Sequence, residues 1–174
     1  AKVIEFASMT FYKGTLCGKD TVVVRSGIGK VNAAICAQIL VDKFGVDMLI
    51  NTGIAGSLDA RIDIGDMVIS TDAVHHDMDA TIFGDAIGQV PRMDIRTFPA
   101  DPHLVELAVK ANEKANPQIH TFTGRVASGD QFISSGEVKA RIVENFQALC
   151  TEMEGAGIAH AAYLNKVSYV IIRD

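Results

Sequence analysis

The chain has 174 residues, 48% of them hydrophobic, enough to bury a sizeable core within the common size of one domain. Its formal charge of -5, with 16 Lys and Arg against 21 Asp and Glu, argues against an attachment to nucleic acid or anionic membrane built mainly on charge. Apolar stretches such as 47–54 fall far short of the roughly 20 residues of a membrane helix, and the N-terminus has no basic segment leading into an apolar one, so a soluble cytoplasmic protein is expected. Cys17, Cys36 and Cys150 are far apart and set among apolar residues, which predicts buried, reduced thiols in place of a disulfide framework or zinc site.

In chain order, 9–17 and 21–26 are β-prone runs joined by Gly18-Lys19-Asp20, a hairpin with a short turn. Val31, Ile35 and Ile39 carry helical spacing from Lys30 to Phe44, ended by Gly45. The apolar run 47–53 predicts a parallel strand covered on both faces, and 66–71 a second strand. From about Ala73 to Pro99 the pattern is interrupted by Gly84, Gly88 and Pro91, predicting a long, functional excursion. Pro102 to Ala115 reads as a helix with proline at its first position, 121–127 as a strand, and 136–146 as a helix. The strand 148–153 runs into a helix over 155–164, and the β-branched run 167–172 forms a last strand. Strands alternating with helices predict a single α/β domain over 1–174, in which ligands gather at the carboxyl ends of strands.

Two glycine segments follow strands. Ser26-Gly27-Ile28-Gly29-Lys30-Val31 fails the P-loop template, which needs glycine at Val24 and Ser or Thr at Val31, and the dinucleotide template, which needs glycine at Asn32. It reads either as a tight strand-to-helix turn or as a ligand turn offering free backbone N–H groups. Asn51-Thr52-Gly53-Ile54-Ala55-Gly56-Ser57 repeats the theme, and two such turns at one sheet edge strengthen the second reading. His75-His76-Asp77 with Asp79 resembles a metal cluster, but adjacent histidines in an extended chain point to opposite faces, so no metal is expected. His103, His120 and His160 stand alone, and Ser26, Ser128 and Ser134 lack a nucleophile-elbow context. The segment Thr151-Glu152-Met153-Glu154-Gly155-Ala156 is the most informative, because charge is costly where an apolar strand meets a small-residue helix. One of its carboxylates caps the helix and pairs with Arg173 or a lysine, or one accepts hydrogen bonds from the vicinal hydroxyls of a sugar.

Four blocks, 26–34, 51–56, Ser128-Gly129-Asp130-Gln131-Phe132-Ile133 and Thr151-Glu152-Met153-Glu154, occur in the order found in the nucleoside phosphorylase/nucleosidase superfamily. With Asp63-Ile64-Gly65-Asp66 and the stretch 76–84, the chain resembles the 5'-methylthioadenosine/S-adenosylhomocysteine nucleosidases over nearly its whole length. The resemblance implies a three-layer α/β/α fold around a central mixed, largely parallel sheet. It implies hydrolysis of the N-glycosidic bond of an adenine nucleoside in methionine salvage, with no cofactor. Glu154 resembles the glutamate that binds the ribose hydroxyls, with Met153 against the sugar. Phe132 would stack on adenine and the Ile133 backbone would bond its edge. Ile28, Ala55 and Gly56 would line the ribose pocket, while Ala80 and Phe83 resemble residues lent across a homodimer interface toward the 5'-alkylthio group. The family's water-activating glutamate follows a strand preceding Ala1, and its leaving-group aspartate falls three residues beyond Asp174, so both are expected outside this sequence, and the domain is expected to extend past both ends.

Three rivals remain. A nucleoside phosphorylase needs basic groups around phosphate, yet Arg25 is the sole basic residue before the first glycine turn and Ile54 sits where a polar phosphate ligand is expected. A futalosine-type hydrolase is closer, since the base edge is read partly by backbone. A non-catalytic nucleoside-binding domain would need neither acid nor base.

Overall fold

The structure, a computed structural model, describes residues 2–174. It opens on a three-stranded antiparallel sheet of β1 (Lys2–Phe6), β2 (Met9–Leu16) and β3 (Lys19–Val24). The β2–β3 hairpin matches the sequence expectation; β1 does not appear there. Ala7 and Ser8 turn β1 into β2 with φ of 48° and 60°, and Cys17 and Gly18 turn β2 into β3 with φ of 50° and 78°. Such two-residue turns match strand twist and favour Gly or Asn, so Ala7-Ser8 gives no turn signal. Cys17, expected to be buried, is exposed at its turn, whereas Cys36 and Cys150 are buried. Burial pushes the Cys36 thiol up to about 11 and, with Glu152 nearby, that of Cys150 to about 12.

The central sheet has seven strands. β4 (Met48–Gly53), β10 (Ser168–Arg173), β6 (Met67–His75), β8 (Thr121–Ser128), β9 (Cys150–Glu152) and β5 (Gly56–Ser57) lie in that order, with β7 (Phe98–Pro99) added on β6. β4/β10, β6/β8 and β8/β9 run parallel, while β10/β6, β9/β5 and β6/β7 run antiparallel, a mixed sheet. Strand alternation divides the core. Val68, Val126 and Ile171 face α1 (Lys30–Phe44) and α4 (Gly155–Asn165), while Ile69 and Val170 meet α2 (Pro102–Ala115). Val74 and Ala127 meet α3 (Gly136–Phe146). The three-layer α/β/α architecture is therefore present.

Local chemistry explains the element ends. α2 starts at Asp101, whose carboxylate accepts from the His103 and Leu104 amides, with Pro102 at the first helical position. α1 stops at Gly45 in the left-handed region, φ 62°, where its N–H bonds the last turn. Two expectations need correction. The buried side of α1 is Ala33, Cys36, Ala37 and Ile39, and Val31 is 69% exposed. Helices α1 and α4 approach so closely that a Cβ on Gly157 would lie 2.8 Å from the Lys30 carbonyl oxygen, which selects small residues for the contact. Among the described residues β4, expected to be covered on both faces, is the last strand of the sheet, with Leu49 buried and Ile50 59% exposed. β6 also runs past Thr71 to His75 before the excursion begins. The excursion is folded on itself: the Gly88 amide donates to Met78 at 2.8 Å, and the Gln89 side chain donates to the Met93 and Ile95 carbonyls.

Candidate active site

The two carboxylates of the 151–156 segment end up with opposite assignments. Glu152, at the end of β9, is buried and accepts from the Ser128 hydroxyl, the Glu154 and Gly155 amides and the Arg173 guanidinium. Its Gly155 contact, at 2.8 Å to Oε2, caps α4. Arg173 is itself fixed by Asn51 Oδ1 at 2.5 Å, and a Cβ on Gly53 would collide with it at 2.3 Å. Glu152 is thus consumed by structure. Glu154 is not: its side chain is 17% exposed, among the described residues its Oε1 accepts only from the Gly29 amide at 3.1 Å, and its Oε2 lies 3.6 Å from Arg173 Nη2. The structural reading of this motif, a carboxylate that caps the helix and pairs with Arg173, falls to Glu152, and Glu154 keeps acceptor capacity. Both carboxylates nevertheless approach one guanidinium, because the chain leaves the strand at Met153 and strand alternation no longer applies.

The first glycine turn reaches this carboxylate, and the second lies against Arg173 beside it. Gly27 and Gly29 have φ of 82° and 92°, conformations that let the Gly29 amide turn toward Glu154. The second turn leaves β4 beside Arg173; the Ala55 amide donates to the Asp174 carbonyl at 3.1 Å, and Gly56 pairs with Thr151. The β8–α3 loop starts next to both, its Gly129 amide donating to the Glu152 carbonyl at 3.1 Å. A Cβ on Gly129 would meet His76 Nε2 at 2.4 Å, so glycine is required where β6 and β8 end together.

Three further residues close a ring around this junction. The Lys30 ammonium pairs with Asp77, the Asp130 amide donates to Asp77 Oδ2 at 2.8 Å, and the Lys30 amide donates to Asp130 Oδ1 at 2.8 Å. Burial would raise the Asp77 carboxyl, but the Lys30 ammonium and Asp130 amide outweigh it and hold the group below the ordinary carboxylate range. Sequence reading missed this set, although all three residues lie in the segments that carry the resemblance. Asp77 was weighed there only for metal.

His75, His76 and His160 pack in or against the core, while His103 and His120 are exposed. His75 Nε2 lies 3.3 Å from His160 Nδ1, and His160 stacks on Phe98 at 4.7 Å. Burial, reinforced by Lys30, pushes His75 down to about 4, and burial likewise lowers His76 and His160. His160, isolated in the sequence, takes a packed structural role because β6 and α4 bring it to His75. His120 pairs with Asp66 at 3.3 Å. Among the described residues, no group of three or more His, Cys, Asp or Glu could hold a metal ion.

Around Glu154, Met153 is half-buried and Gly56 is exposed. Ile28 projects from the first turn at 73% exposure and Phe132 from the β8–α3 loop at 87%, while Ile133 packs partly on the α3 core. Ala80 is buried and Phe83 is 86% exposed, so of these two Phe83 offers a side-chain surface.

The sheet thus brings one glycine turn to the Glu154 carboxylate and the other to the neighbouring Arg173. The sequence profile of the phosphorylase superfamily matches residues 1–173, and the chain belongs to that superfamily. The 5'-methylthioadenosine/S-adenosylhomocysteine nucleosidase of Treponema pallidum (strain Nichols) is 42% identical, over 97% of this chain and 70% of the relative. The Neisseria meningitidis enzyme of that name, solved in complex with methylthio-immucillin-A, is 40% identical with a TM-score of 0.94, over 98% of this chain and 74% of that one. The corresponding Colwellia psychrerythraea 34H structure, in complex with adenine, is 42% identical with a TM-score of 0.93, over 98% and 71%. Within the superfamily the chain falls among these nucleosidases.

Proposed function

We propose that the protein is an N-ribosyl hydrolase that cleaves 5'-methylthioadenosine and S-adenosylhomocysteine to adenine and the 5-thioribose product. The observation that carries this reading is the Glu154 carboxylate, held by the Gly29 amide and electrostatically steadied by Arg173, with acceptor capacity left for a ligand. Cleavage through a ribosyl cation-like transition state sets three tasks: protonating the leaving purine, holding the ribose as charge develops, and delivering an activated water. Glu154 performs the second, accepting hydrogen bonds from the ribose hydroxyls and keeping negative charge near the developing cation. Met153 lies against the sugar, and Ile28, Ala55 and Gly56 line its pocket. Phe132 stacks on the adenine and the Ile133 backbone bonds its edge. No cofactor or metal enters these roles.

The same proposal covers the assembly. Residues 1–174 form one nucleoside phosphorylase-like domain, and two copies associate with Phe83, together with Ala80, lent toward the neighbour's 5'-alkylthio pocket. The exposed Ile82 and Phe83 on the turn Thr81–Phe83 support this. A cytoplasmic place in methionine salvage accords with the substrates, and no helix of the described residues is long and apolar enough to cross a membrane.

Incubating the full-length protein separately with 5'-methylthioadenosine, S-adenosylhomocysteine and futalosine, and following the free base, tests the reading. Adenine should appear from the first two. Preferential release of hypoxanthine from futalosine, or tight adenosine-type binding without any release, would replace it.

A further inference from the structure

Residues 130–134 leave β8 for α3 without regular structure, and this loop carries Phe132 and Ile133. Among the described residues, its hydrogen bonds are the two made by Asp130: its amide to Asp77 and its carboxylate from the Lys30 amide. Lys30 immediately follows Gly29, whose amide holds Glu154. Asp77 follows the end of β6, beneath the sheet edge where Gly129 leaves no room for a side chain against His76. Three segments distant in sequence are thereby tied at one point.

We propose that Lys30, Asp77 and Asp130 form a positioning clamp that fixes the base-holding loop in register with the sugar-holding turn. None of the three touches the reacting atoms. Their effect is geometric: a purine stacked on the loop and a ribose held by Glu154 belong to one rigid molecule, so the two half-sites must keep a fixed separation for cleavage. Asp77 is the keystone because its two oxygens serve different segments, one receiving the Lys30 ammonium and the other the Asp130 amide. The lysine and aspartate side chains are only 17% and 18% exposed, which shields the pair from the screening that makes surface ion pairs weak. The consequence for turnover rests on the nucleosidase reading; the clamp itself does not.

The test uses Asp77→Asn and Lys30→Met in the full-length protein, with Lys30→Arg as the conservative control. Free adenine does not reach the sugar-holding turn, so its dissociation constant should stay within about threefold of the parent's in both variants. The nucleoside spans both half-sites, so its kcat/KM should fall at least tenfold, and Lys30→Arg should recover most of that loss. Hydrogen exchange at the Lys30 and Asp130 amides should quicken at least tenfold in Asp77→Asn while α2 is unchanged. Unaltered exchange at these amides overturns the clamp, as does a parallel loss of adenine and nucleoside recognition. A parent that releases no adenine, with exchange responding as described, overturns the nucleosidase reading and leaves the clamp standing.

Discussion

Glu152 and Glu154 show how two identical side chains, two residues apart, are divided between stability and chemistry by their neighbours. Glu152→Gln removes the charge facing a buried guanidinium, and breaking such a pair costs about 3–5 kcal/mol, or a melting-temperature fall of roughly 10 °C in a chain of this size. Glu154→Gln keeps its shape and its Gly29 contact, so the melt should hardly move. Its turnover should fall at least about a hundredfold, because a lost charge-directed contact in the transition state is worth on the order of 3 kcal/mol. Parallel adenine-release kinetics and melts on both variants check this; a dead Glu152→Gln beside a normal Glu154→Gln would exchange the roles. The histidines add a pH dependence. His75 is neutral in the fold, with a pKa near 4 against 6.5 in an exposed chain, so its contribution is complete above about pH 6.5 and is lost as pH falls toward 4. The full window is worth roughly 3 kcal/mol. Thermal melts between pH 7 and 4.5 should fall less steeply for His75→Gln than for the parent, and equal slopes would refute this origin.

At the scale of elements, the α1–α4 contact carries the site, since the Lys30 backbone that touches Gly157 also anchors the clamp. Gly157→Ala adds a Cβ against backbone that cannot yield, and overpacking of about 1–3 kcal/mol should exceed the helix-propensity gain of about 1 kcal/mol. Gly136→Ala, at the start of α3 with open space around its added Cβ, should be neutral or mildly stabilising. Melts of the two variants should therefore move apart; a stabilised Gly157→Ala would show that α1 can retreat. The same elements show what a single sequence discloses. The limits of α1 and α2 were legible because Gly45, Asp101 and Pro102 act locally. Which side of α1 is buried was not, because Gly157 lies on another helix. At the site, the glycine turns and the carboxylate pair were legible as chemistry, while the Lys30–Asp77–Asp130 ring needed three distant segments to be folded together.

For the whole molecule, Ile82 and Phe83 stand in solvent on a folded excursion, an apolar projection that a second copy would cover. Sedimentation should show two chains per particle, and Phe83→Asp should shift the particle toward single chains while lowering kcat/KM for the 5'-alkylthio substrates. A single-chain parent with full activity would remove Phe83 from the neighbour's site. In the proposed reaction water, and not phosphate, attacks the ribose. This is tested most directly by cleaving 5'-methylthioadenosine in phosphate buffer made with oxygen-18 water and weighing the sugar product. The product should be free 5-methylthioribose labelled at its anomeric oxygen, at a rate independent of phosphate; an unlabelled sugar 1-phosphate whose formation requires phosphate would contradict the claim.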